Sequence, residues 1–171
     1  MRNTPLAHPT ISRLLAGLAL AALAAASAHA DDRRCTGSLG SESIDGNVQV
    51  PDGAQCVMRG TQIDGNIKLQ KGARLQAEGV RVNGNVQAEG HADVQVRNSQ
   101  IGGDIQLKQG GSATLTGNKV DGDVQLTSNR GAQRVQDNAI DGNLQCKSNR
   151  RQPQGGGNRV AGNKEDQCAS L

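Results

Sequence analysis

The chain has no phenylalanine, tyrosine or tryptophan among its 171 residues. Sites that hold sugars, bases or quaternary amines by stacking on aromatic rings are therefore excluded. An excess of one charge is also lacking. Nineteen Lys and Arg stand against 16 Asp and Glu, and setting aside Arg2 and Arg13 of the leader leaves 17 against 16. With so small a net charge, strong capture of nucleic acid or of a membrane surface is not expected. Beyond residue 30 there is one histidine, His91, and no long apolar run. There is no P-loop, no H-E-x-x-H and no G-x-S-x-G.

The first 30 residues read as a secretory signal. Arg2 and Arg13 supply positive charge, Leu14–Ala26 is an apolar run, and Ala28-His29-Ala30 is an A-x-A cleavage site before Asp31. The run is shorter than the ~20 residues a membrane span needs. Charged residues before Cys35 argue against a lipid anchor. Cleavage after Ala30 is expected, leaving 31–171 as one domain with no membrane insertion. Four cysteines in an exported chain point to two disulfides, in one of three pairings.

Past the leader one motif recurs seven times. Its copies are Ile44-Asp45-Gly46-Asn47-Val48, Ile63-Asp64-Gly65-Asn66-Ile67, Val82-Asn83-Gly84-Asn85-Val86 and Ile101-Gly102-Gly103-Asp104-Ile105. Val120-Asp121-Gly122-Asp123-Val124, Ile140-Asp141-Gly142-Asn143-Leu144 and Val160-Ala161-Gly162-Asn163-Lys164 complete the set. The period is 19, then 20, which marks a solenoid. Each Gly-Asn or Gly-Asp is followed by apolar-polar-apolar, as in Val48-Gln49-Val50, the pattern of a half-buried strand. A second such run follows about eight residues later, as in Val94-Gln95-Val96. The fold expected is an all-β, right-handed parallel β-helix of six to seven coils, roughly 30 Å long at about 4.8 Å per coil.

The glycine of each copy turns a corner where a side chain would clash or φ must be positive. The next residue (Asn47, Asn66, Asn85, Asp104, Asp123, Asn143, Asn163) should stack into a hydrogen-bonded ladder. Gln49, Gln87, Gln106, Gln125 and Gln145 should form a second ladder facing water. Cys35 and Cys56 lie one period plus two residues apart, as do Cys146 and Cys168 in phase. The expected pairs are Cys35–Cys56 and Cys146–Cys168, one staple per end. Residues 31–43 form an N-terminal cap, 44–146 the regular coils, and 147–171 a basic Gly-rich loop and C-terminal cap. Lys147–Arg159, with Pro153 and Gly155-Gly156-Gly157, reads as a mobile loop where an acidic partner would dock.

The stretch Gly142-Asn143-Leu144-Gln145-Cys146, then Gly155-Gly156-Gly157-Asn158 and Gly162-Asn163-Lys164-Glu165-Asp166-Gln167-Cys168, resembles the ending of small exported proteins of Gram-negative bacteria, a group without an assigned activity. The likeness covers about the last thirty residues. The repeats resemble right-handed β-helix proteins generally and, more faintly, the bactofilins. Bactofilins are polymer-forming, cytosolic and without signal peptides or paired cysteines, so that likeness implies architecture only.

Together these features lead to an exported, non-catalytic structural or binding protein of the periplasm or cell exterior. It is expected to be a monomer with an envelope or extracellular partner, no nucleic acid and no cofactor. A polysaccharide-acting enzyme would project acids and bases from long loops, but here the loops are short and His91, in a Glu-Gly-His-Ala turn, reads as a surface residue. An ice-binding face would need rows of threonine, and only Thr114 and Thr116 approach that spacing. A polymer-forming scaffold is disfavoured by stapled, polar ends. Asp104 and Asp123 are adjacent rungs with Asp121 close by. Three carboxylates are few for calcium, so no metal is expected.

Overall fold

A computed structural model describes residues 32–171. The segment read as a leader, with its expected cleavage site, lies outside the described residues. The described chain is an all-β solenoid of about seven coils, built from three parallel sheets of eight, seven and seven strands. The first sheet runs from Arg33–Arg34 through Val48–Val50, Ile67–Leu69 and so on to Lys164–Asp166. The second runs from Ser38–Leu39 to Gln154–Gly156. The third consists of two-residue strands from Ser43–Ile44 to Arg159–Val160. Among the described residues no helix is long and apolar enough to cross a membrane.

The register explains the period. Val86 pairs with Ile67 and Ile105, each 19 residues away, so identical positions stack from coil to coil. Inward positions form columns of aliphatic side chains. Val48, Ile67, Val86, Ile105, Val124 and Leu144 are each 1% exposed or less. Ile63, Val82, Ile101, Val120 and Ile140 fill the third side. Three short walls enclose so narrow a core that aliphatic residues fill it without aromatic bulk. The later 20-residue spacing arises at the corner after the first sheet. Gly110 stacks on Asn129 and Ala113 on Gln133, so four steps there replace three.

The segment 147–159, expected as a loop, is instead wound as a coil. Gln154–Gly156 pairs with Arg134–Gln136, Pro153 is buried, and Asn149 and Asn158 point inward. The glycines have a steric role. Gly155 occupies the column of Met58, Ala77, Val96, Leu115 and Val135, and a Cβ there would collide with the Val135 carbonyl oxygen. Composition that reads as flexibility is here the condition for close backbone approach.

Both ends are stapled as the phase argument requires. Cys35–Cys56 and Cys146–Cys168 are disulfide-bonded, with Cα separations of 5.5 and 5.1 Å. After Lys164–Asp166 the chain turns, with the Cys168 and Leu171 amides donating to Glu165 and Cys168 carbonyls. That turn lays buried Leu171 against the end of the core.

Candidate functional site

The outer ladder forms, and its main bond is not amide to amide. The backbone N–H of each rung donates to the side-chain Oδ1 of the rung one coil earlier. Asn66 reaches Asn47 at 2.9 Å, Asn85 reaches Asn66 at 2.8 Å and Asp104 reaches Asn85 at 2.7 Å. Asp123, Asn143 and Asn163 continue the series at 2.8, 2.7 and 2.9 Å. Amide-to-amide bonds are added where chemistry allows, as from Asn66 Nδ2 to Asn47 Oδ1 at 2.8 Å. A backbone donor accepts either side chain as its partner, which is why Asp substitutes for Asn. The corner glycines do not sit at positive φ. They are needed for space: a Cβ on Gly65 would lie 2.6 Å from the Gly46 carbonyl oxygen.

The ladder begins earlier than the motif does. Arg33 pairs with Val48, which places Asp32 over Asn47. Asp32 accepts from Asn47 Nδ2 at 2.7 Å and Gln49 Nε2 at 2.5 Å. These bonds hold its carboxyl below the usual range.

Two further ladders lie inside the core, and sequence reasoning missed both. In one, Ser99, Asn118 and Asn138 each donate a backbone N–H to the Oδ1 of Asn118, Asn138 and Asn158 respectively, each at 3.0 Å. In the other, Gly110, Asn129 and Asn149 donate to Asn129 Oδ1, Asn149 Oδ1 and Gln167 Oε1 at 2.9, 3.0 and 2.8 Å. Their polarity is opposite to the outer ladder, since the side chain reaches back toward the preceding coil. The spare Nδ2 protons go to carbonyls such as Val96, Leu115 and Val135. Each inward residue follows one at positive φ, for example Asp137 (55°) before Asn138 and Ser128 (56°) before Asn129.

His91 sits at the same corner as Asn129, two coils earlier, and is 2% exposed. The expectation of a surface residue is overturned. Gly90 at φ 69° turns the next side chain inward. The ring packs beneath Gly110, where a Cβ would collide with it. Neither ring nitrogen has a hydrogen-bond partner. Burial pushes its pKa from 6.5 down to about 4, opposed by the nearby Asp93 charge.

Asp104 and Asp123 do stack, and each is served by donors. Asp104 Oδ1 accepts the Asp123 N–H, and its other oxygen accepts Gln106 Nε2 at 3.2 Å. Lys119 pairs with Asp121 at 2.8 Å, outside the ladder, and that bond raises the Lys119 pKa. Among the described residues no three His, Cys, Asp or Glu side chains are grouped to hold a metal ion. Asp104→Asn should raise the melting temperature slightly at neutral pH, by at most about 1 kcal/mol of stability. The new amide can donate to Asn85 Oδ1 as its neighbours do, and one of two stacked charges is removed. Melts with EDTA and with Ca²⁺ check this. A lower melting point in the variant, with Ca²⁺ stabilising only the wild type, would point to a bound ion.

The outward row of the first sheet runs Gln49, Lys68, Gln87, Gln106, Gln125, Gln145 and Glu165. The Gln residues are half-buried, and none bonds to the next. Lys68 interrupts the row and Glu165 ends it. Beside it lies an open groove of about 760 Å³ whose lining includes Asp52, Lys71, Glu89, Gln109 and Arg130. Its lining mixes both charges, and neither Asp52 nor Glu89 lies within 4.0 Å of Lys71 or Arg130. A scan against family models, a search of curated proteins and a search of solved structures each return no match.

Proposed function

We propose that this chain is an exported, non-catalytic structural or binding protein of the cell envelope. Its contact surface would be the flat outer face of the first sheet, around Gln49, Gln87, Gln106 and Gln125. The observation that carries the reading is the pair of end disulfides on a continuous solenoid. Stable cystines belong to oxidising compartments, and the A-x-A leader accounts for how the chain would reach one. The face supports binding better than catalysis: its polar groups form a flat row, and the one histidine beyond the leader is enclosed in the core.

The test is expression from the native leader, followed by cell fractionation, intact mass and thiol alkylation. A processed chain beginning at Asp31, outside the cytosol and without alkylatable thiols, is the expected result. The same protein, incubated with a panel of envelope polysaccharides, should leave them undegraded. An unprocessed cytosolic chain, or release of reducing ends, would overturn the reading.

A further inference from the structure

The near-neutral charge of the mature chain hides a segregation in space. Outward acids concentrate at the Asp-Gly corner, at Asp45, Asp64, Asp121 and Asp141. From the fourth coil to the sixth, the charged residues at the corner between the first and second sheets are all cations, Lys108, Arg130, Lys147, Arg150 and Arg151, with Arg134 just beyond on the second sheet, where its guanidinium donates to Gln136 Oε1. All six are exposed. No carboxylate among the described residues lies within 4.0 Å of any of them. Glu89, which pairs in register with Lys108, and Glu165, which pairs with Gln145, bound the patch at its two ends.

The positions are set by the register. Lys108 and Lys147 share one outward column two coils apart, about 9.6 Å along the axis. Two residues before each on the same strand stand Gln106 and Gln145, with Gln125 between them. The extra residue in the later coils makes the corner longer there and adds Arg130, then Arg150 and Arg151. A row of neutral amides therefore runs parallel to a row of unpaired cations.

We infer that this corner binds an acidic polysaccharide lying along the solenoid axis, its carboxylate or sulfate groups on the Lys and Arg side chains and its hydroxyls on the Gln row. This rests on the binding reading above and gives it a ligand class. Amides hydrogen-bond hydroxyls, and guanidinium groups pair with carboxylates in a fork. Neutral glycans lack the groups that would use the cations, and the chain has no aromatic ring on which to stack them. Nucleic acid is disfavoured for the same want of stacking partners, and a membrane surface because the corner's apolar side chains are buried apart from Ala132.

The test is calorimetric titration of the mature protein with polygalacturonate and with dextran sulfate, using neutral dextran as control, at about 25 and about 250 mM salt. Binding to one or both anionic polymers, weakened by salt, is expected. R130Q/R150Q/R151Q should bind at least about tenfold more weakly, and Q106A/Q125A more weakly at either salt concentration. R81Q/K119Q, on the third sheet, should bind like wild type. All variants are first checked for wild-type melting temperature. Equal loss in R81Q/K119Q, tighter binding to single-stranded DNA or to anionic vesicles, or no binding to either polymer would overturn the inference. Cleavage of a polymer that binds at this corner would overturn the non-catalytic reading alone.

Discussion

Asn138→Ala should destabilise the protein by about 3 kcal/mol or more, a fall of roughly 10 °C in melting temperature. Asn138 is 2% exposed, and its side chain serves three partners at once. Its Oδ1 accepts the Asn118 N–H and the Asn118 Nδ2, each at 3.0 Å, while its Nδ2 donates to the Leu115 carbonyl at 2.9 Å. Truncation strands a buried backbone donor and a buried side-chain amide, at about 1–3 kcal/mol each. Asn163→Ala is the matched control. Asn163 is exposed and its side chain meets no later coil, so its loss should cost under about 1 kcal/mol. Denaturant melts of the two variants check the contrast, and equal losses would mean the inner ladder carries no special weight.

Acid should weaken the wild type through His91. The folded pKa is about 4 and the unfolded value 6.5. The neutral ring is therefore favoured in the fold, and its contribution is complete above pH 6.5 and is lost as pH falls toward 4. The difference corresponds to about 3 kcal/mol. The buried ring has no partner for the proton it would gain, and Gly110 covers it closely. His91→Leu should flatten the dependence of stability on pH between about 7 and 4 relative to wild type. Asp32, whose pKa is lowered, adds a loss only below its ordinary 3.8, and it does so in both proteins. Parallel pH profiles for wild type and variant would remove His91 as the cause.

What the sequence reveals and what it hides both follow from how uniformly a position is filled. The Asp-Gly corner is legible because the same backbone contact recurs in every coil and tolerates only glycine, so the residue type repeats. The staples are legible for the same reason, since phase in a fixed period is position in the cross-section. The inner ladders are not. Asn118, Asn138 and Asn158 share a column with Thr61, Val80 and Ser99, and a buried corner accepts any side chain that fills it and meets its hydrogen bonds. The available signal was the 20-residue spacing of those three Asn, each following Gly117, Asp137 or Gly157. Asp32 escapes notice because the first coil is incomplete and the spacing to Asn47 is 15 residues. His91 and the 147–159 coil misled in opposite ways. A turn-like tetrapeptide hides an inward residue after a left-handed glycine, and a glycine run hides a strand.

The register at both ends is the central structural claim, and tryptic mapping of the unreduced full-length protein tests it most directly. No Lys or Arg lies between Cys35 and Cys56, so the peptide Cys35–Arg59 should appear alone, closed by an internal disulfide and inert to alkylation. The peptide Val135–Lys147 should be joined to Glu165–Leu171 through Cys146 and Cys168. A Cys35–Arg59 peptide cross-linked to either C-terminal peptide, or carrying free thiols, would contradict the stacking of the coils described above.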